Sequence, residues 1–155
     1  LRVARYFVLW FVFMFLFTGA VVGLEYIEGY KITTTEYFGL RNAGFVLMII
    51  PILISSLLYP VIVLPLSWLM GMIRWVRASL ILYALLYAVI WAAVGTVLFY
   101  ESYDDRFIQE YELHVSTAVI LFGVIGLIYG GIERKVLRNH PAGSVKVQEK
   151  TMGSH

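Results

Sequence analysis

Four apolar stretches dominate the chain, from about Tyr6 to Leu24, Ala43 to Ile73, Ala78 to Tyr100 and Leu113 to Ile132, and none contains Lys, Arg, Asp or Glu. Apolar residues run on continuously instead of alternating with polar ones, which excludes the dyad pattern of a membrane β-barrel. Each stretch is long enough to cross a hydrocarbon core of ~30 Å at ~1.5 Å per residue. No water reaches that depth to satisfy the backbone, so the segments must be helices. The pattern predicts an all-α membrane protein: a four-transmembrane-helix bundle with spans at about 6–24, 43–66, 78–100 and 113–132. These form one domain over residues 1–138, followed by a tail at 139–155.

The second stretch is too long for one straight span. Its 31 residues, Ala43 to Ile73, would make a helix of about 46 Å. Pro51, Pro60 and Pro65 interrupt it, each removing a backbone donor and crowding the preceding turn. A helix kinked or broken by these prolines is expected to about Leu64, followed by a turn or short interfacial helix that leads to Arg74-Trp75-Val76-Arg77. In the third stretch Ala84, Ala88 and Ala92 recur every fourth residue and Gly95 extends the strip. The fourth answers with Gly123, Gly126 and Gly130. Small residues let membrane helices approach closely, so the third and fourth spans are expected to form a tight antiparallel hairpin. The same strips could instead serve a homo-oligomer.

Between the spans, charge alternates in sign. Nine of the twelve Lys and Arg fall near the termini and in the gap between spans two and three, while eight of the ten acids fall in the other two gaps. By the positive-inside rule, this places both termini in the cytoplasm of a multi-pass cell-membrane protein. The first outer connection, Glu25 to Asn42, holds a β-branched and aromatic run from Lys31 to Phe38, which favours an extended segment. The second, Glu101 to Glu112, is acidic, and Arg106 to Leu113 contain no helix breaker, so they are expected to extend the fourth helix outward. Leu1 is not an initiator, and the closing Gly-Ser-His reads as a tag remnant. The lack of an Asn-x-Ser/Thr sequon fits a bacterial source, and the general shape is similar to that of many small bacterial membrane proteins.

Chemistry is then approached by elimination. No cysteine is present, which removes thiol catalysis and disulfides. With these span limits no ionisable residue lies inside the membrane, which argues against an ion pathway or proton relay. His114 and His140 stand at opposite ends and cannot meet. His114 pairs at i, i+4 with Glu110, yet the spacing matches no defined metal loop, so no metal and no cofactor is expected. Nothing supports nucleic-acid binding, and the inner basic residues are accounted for by topology and lipid headgroups. Two places remain. The outer face carries Glu101, Asp104, Asp105, Glu110, Glu112 and His114 among tyrosines, suited to a cationic peptide or ligand. The Pro51–Pro60 break carries Ser55, Ser56 and Tyr59.

The reading that follows is a non-enzymatic accessory protein with a regulatory, assembly or immunity role, acting on a membrane-protein partner or on itself. The alternative is a small oligomeric transporter or flippase with its site at the Pro51–Pro60 break. An intramembrane enzyme built on His114 ranks third.

Overall fold

A computed structural model describes residues 2–139, apart from the side chains of Arg2 and Arg41, and among the described residues the chain is helical with no strand. The helices are α1 (Arg2–Ile27), α2 (Leu40–Ala43), α3 (Val46–Leu58), α4 (Leu64–Met72), α5 (Arg74–Ala78), α6 (Leu80–Ser102), α7 (Asp105–Glu110) and α8 (Val115–Arg138). A π turn, Tyr59–Val63, joins α3 to α4. Four helical stretches are long and apolar enough to cross a membrane: Val3–Lys31, Val46–Met72, Leu80–Ser102 and Val115–Arg138. The end holding Arg74, Arg77 and Arg134 is called the basic end here, and the end holding Glu101, Asp104 and Asp105 the acidic end. The tail beyond Asn139, with His140, lies outside the described residues.

The second span departs from expectation. It does not turn after Leu64 but continues to Met72, and the break falls at Ile73, whose backbone is extended. Pro51 lies within α3. Pro60 has no N–H, and its ring would crowd the carbonyl four residues back; a π turn, which widens the helix by one residue, accommodates this. Pro65 then stands in the first turn of α4. At its other end the span begins at Val46, because Gly44 (φ 56°) ends α2 in a conformation that a side chain would strain.

The tightest packing joins α6 to α8. A Cβ on Gly126 would come within 2.5 Å of the Tyr87 carbonyl oxygen, and one on Gly130 within 3.1 Å of Ala84 Cα. Gly95 meets the Phe122 ring, and Gly123 lies 3.7 Å from Ala92 Cβ by the same measure. Contacts running from Ala84–Gly130 to Gly95–Phe122 define an antiparallel pair, held by dispersion between closely set backbones. The core is aromatic. The Phe13 ring of α1 lies 5.0 Å from Trp91 of α6, 5.6 Å from Tyr129 of α8 and 5.9 Å from Tyr59 of the π turn, so one side chain touches the other three spans. Apolar side chains facing outward, such as Phe15, Leu57 and Val61, stay exposed, as lipid-facing positions do.

At the acidic end the second connection differs from the expected one, and the first lies against it. Residues 32–38 form no strand; Tyr37 stacks on Tyr103 (5.9 Å, 29°) and meets Phe107 edge-on, which packs the first connection on the second. Residues Arg106 to Leu113 do not extend α8. Asp104 caps a separate helix, α7, through the Arg106 amide (3.2 Å), and the chain turns back at Glu112 (φ 50°) before α8 starts. Burial of Leu113 drives that turn: its amide reaches the Ile108 carbonyl at 3.0 Å while its side chain enters the core.

Candidate functional site

Glu133, just past the fourth apolar stretch of the sequence, is drawn inside the helical bundle. It is 2% exposed, one turn from the C-terminus of α8. Its carboxylate is reached from three elements. Tyr83 of α6 donates to Oε2 at 2.6 Å, Tyr129 of α8 donates to Oε1 at 3.2 Å, and the Ser67 hydroxyl of α4 makes a short contact with Oε1. Ser67 also lies 2.7 Å from the Tyr87 hydroxyl. The Val63 carbonyl is 2.8 Å from the same Ser67 oxygen; a hydroxyl has one proton to give, which Ser67 shares between Val63 and Glu133 while Tyr87 donates to Ser67. Among the described residues no cation pairs with Glu133: the ion pairs are Lys31–Glu28 and Arg106–Glu36. Its chain neighbour Arg134 donates instead to the Arg77 carbonyl.

The sequence carried a signal for this group. Tyr129, Gly130 and Glu133 stand at helical spacing on the buried face of α8, and Gly126 precedes Glu133 by two turns. Reading Glu133 with the flanking Arg134 and Lys135 hid that phase.

Beside Glu133 a cleft of about 660 Å³ opens between α1 and the second span. Tyr6, Trp10, Ser56, Tyr59 and Trp68 contribute to its wall, and no Lys or Arg is among the described residues that line it. The Tyr59 hydroxyl is buried with no hydrogen-bond partner; the neighbouring Tyr129 hydroxyl donates to Glu133. Its position follows from the π turn, which begins at Tyr59. The three expected residues therefore part company. Ser56 and Tyr59 line the cleft, whereas Ser55, wholly buried, gives its proton to the Ile52 carbonyl at 3.0 Å. A second, smaller cleft of about 270 Å³ lies toward the acidic end, with Phe17, Pro51 and Glu25 in its wall.

At the acidic end two glutamates serve as staples. Glu25 accepts from the Tyr37 phenol (2.7 Å), the Tyr103 phenol (3.0 Å) and the Leu40 amide (3.0 Å). Glu28, 1% exposed, accepts from Lys31 (2.9 Å), Thr117 (2.5 Å) and the His114 amide (3.0 Å). Burial first, and then the Glu25 carboxylate, push the Tyr37 and Tyr103 phenols well above the ordinary tyrosine range.

The expected outer-face residues are exposed: Glu101, Asp104, Asp105, Glu110, Glu112 and His114. The turn at Tyr111–His114 separates Glu110 from α8, so the Glu110–His114 helical pair does not exist. No group of three His, Asp or Glu among the described residues is disposed to hold a metal.

Fold and site together describe a small helical membrane protein with a buried carboxylate beside an open cleft. Comparison with known protein families, with curated proteins and with solved structures gives no match.

Proposed function

We propose that the protein takes an amphiphilic guest from the bilayer into the cleft between α1 and the second span, as a small transporter or flippase. The buried carboxylate of Glu133 in the wall of an otherwise largely apolar cleft is the observation that carries this reading. An apolar cleft with a few converging polar groups is the usual form of a small-molecule site. The charge pattern sets the basic end in the cytoplasm with both termini, so the cleft faces the inner leaflet. No catalytic step is assigned.

The test is transbilayer movement of a single-chain amphiphile labelled with nitrobenzoxadiazole, in proteoliposomes, read by dithionite quenching. Faster movement than in protein-free vesicles, lost in Ser56→Trp, is the expected result. A rate equal to that of protein-free vesicles removes the transport reading.

A second reading, an accessory protein that recognises a cationic partner loop, is supported by the exposed acids of the other end. Glu101, Asp105, Glu110 and Glu112 face solvent without an ion pair to any described residue. Copurification from native membranes tests it, with loss of the partner expected when these four are changed to the corresponding amides.

A further inference from the structure

We infer that the guest of the α1–second-span cleft is a net-cationic amphiphile, an amine or quaternary ammonium on an apolar chain, with its head against Glu133. This rests on the guest-binding reading above. Three observations converge on it. Glu133 is 2% exposed yet reaches the cleft wall, and its polar partners are all hydroxyls. Hydroxyl donors satisfy lone pairs without neutralising charge, and a buried carboxylate is costly until a cation faces it. The Tyr59 hydroxyl is buried in the same wall beside the Tyr129 hydroxyl. Finally, Tyr6, Trp10 and Trp68 stand among the aliphatic side chains of the remaining wall, and aromatic faces attract ammonium groups, quaternary ones included.

The same lining argues against a zwitterionic phospholipid. Its phosphate would sit one short linker from the amine, near Glu133, and would need cationic or multiple N–H donors. The described lining offers no Lys or Arg for that purpose, and Arg134 is engaged with the Arg77 carbonyl. A single positive charge without a companion anion matches the site.

The experiment is equilibrium binding to the protein in phosphatidylcholine nanodiscs, with empty discs subtracted. Three probes share one chain and differ in head charge: dodecyltrimethylammonium, dodecanol and dodecyl sulfate. The cation is expected to bind saturably and about tenfold or more tighter than the alcohol, a difference of one decade in Kd, with the sulfate weakest. Glu133→Gln is expected to bring the cation to the level of the alcohol. Equal affinity for all three in the unaltered protein overturns the charge assignment and leaves guest binding standing. Absence of saturable binding for any probe overturns both. Should Glu133→Gln fail to fold, the comparison among probes in the unaltered protein still decides, and Ser56→Trp, which fills the cleft, must abolish the cation signal. A cation preference that survives Ser56→Trp places the binding elsewhere and sinks the proposal.

Discussion

The Tyr83 phenol on α6 donates to Oε2 of Glu133 on α8 at 2.6 Å, at the basic end of the most closely packed helix pair. The bond joins two helices already in backbone contact, and Ser67 brings the second span to the same carboxylate. Three spans thus meet on one acidic group.

Removing that group should therefore loosen the basic end. Glu133→Ala leaves the Tyr83 and Tyr129 hydroxyls without their acceptor, Ser67 keeping the Val63 carbonyl, and a buried unsatisfied group costs about 1–3 kcal/mol. A loss of about 3 kcal/mol is expected, against about 1 kcal/mol for Tyr83→Phe, which removes a single bond. Unfolding in mixed micelles measures both; equal effects of the two changes would contradict the shared-acceptor arrangement.

The glycines supply a graded test of the α6–α8 contact. A Cβ on Gly126 would meet the Tyr87 backbone at 2.5 Å, whereas at Gly123 the nearest atom is 3.7 Å away and at Gly19 nothing lies within 4 Å. Gly126→Ala should cost about 1–3 kcal/mol through overpacking. Gly19→Ala should stabilise by up to about 1 kcal/mol through helix propensity, with Gly123→Ala close to neutral. Destabilisation of similar size at all three positions would rule out this helix register.

Alkaline pH should act on the acidic end. The Tyr37 and Tyr103 phenols are held above their ordinary value by burial and by Glu25, so the folded state retains protons that the unfolded chain releases above about pH 10. Their contribution is complete below that pH and is withdrawn as pH rises past it. Melting temperature should fall above about pH 10, and fall less steeply in the Tyr37→Phe, Tyr103→Phe double variant.

The two residues of the Lys31–Glu28 pair should not be equivalent. The Lys31 side chain is 38% exposed and that of Glu28 1%. Lys31→Ala removes a partly solvated ion pair, worth at most about 1 kcal/mol. Glu28→Ala also strands the His114 amide and the Thr117 hydroxyl, and about 3 kcal/mol is expected. Thermal unfolding of the two single variants separates them.

The spans were legible because hydrocarbon enforces both helix and length, leaving little for tertiary context to decide. The Ala84–Gly130 face was legible for a related reason: only small side chains permit that approach, so the spacing records the contact. Burial of charge was not. Glu25 and Glu28 were placed in the first outer connection because they follow the first apolar stretch, yet Phe13, Phe17, Leu24 and Glu28 share one buried face of the first span. Glu133 was masked in the same way by the bases after it. Charge composition at a helix end sets topology, whereas helical phase decides which of those charges turns inward. The turns at Ile73 and Glu112 were missed because neither is marked by Pro or Gly; both depend on packing remote in sequence.

The double grip of Glu25 on Tyr37 and on the Leu40 amide has a consequence for the covalent chain. The connection from Thr33 to Thr35 carries none of those bonds, while Ile32 is anchored in the core on one side of it and Tyr37 on the other. A polypeptide cut between Thr34 and Thr35 would keep its first helix docked against the remaining three. The molecule could accordingly be supplied as two separately synthesised pieces that find each other in the bilayer, with the peptide link at this point serving delivery more than cohesion.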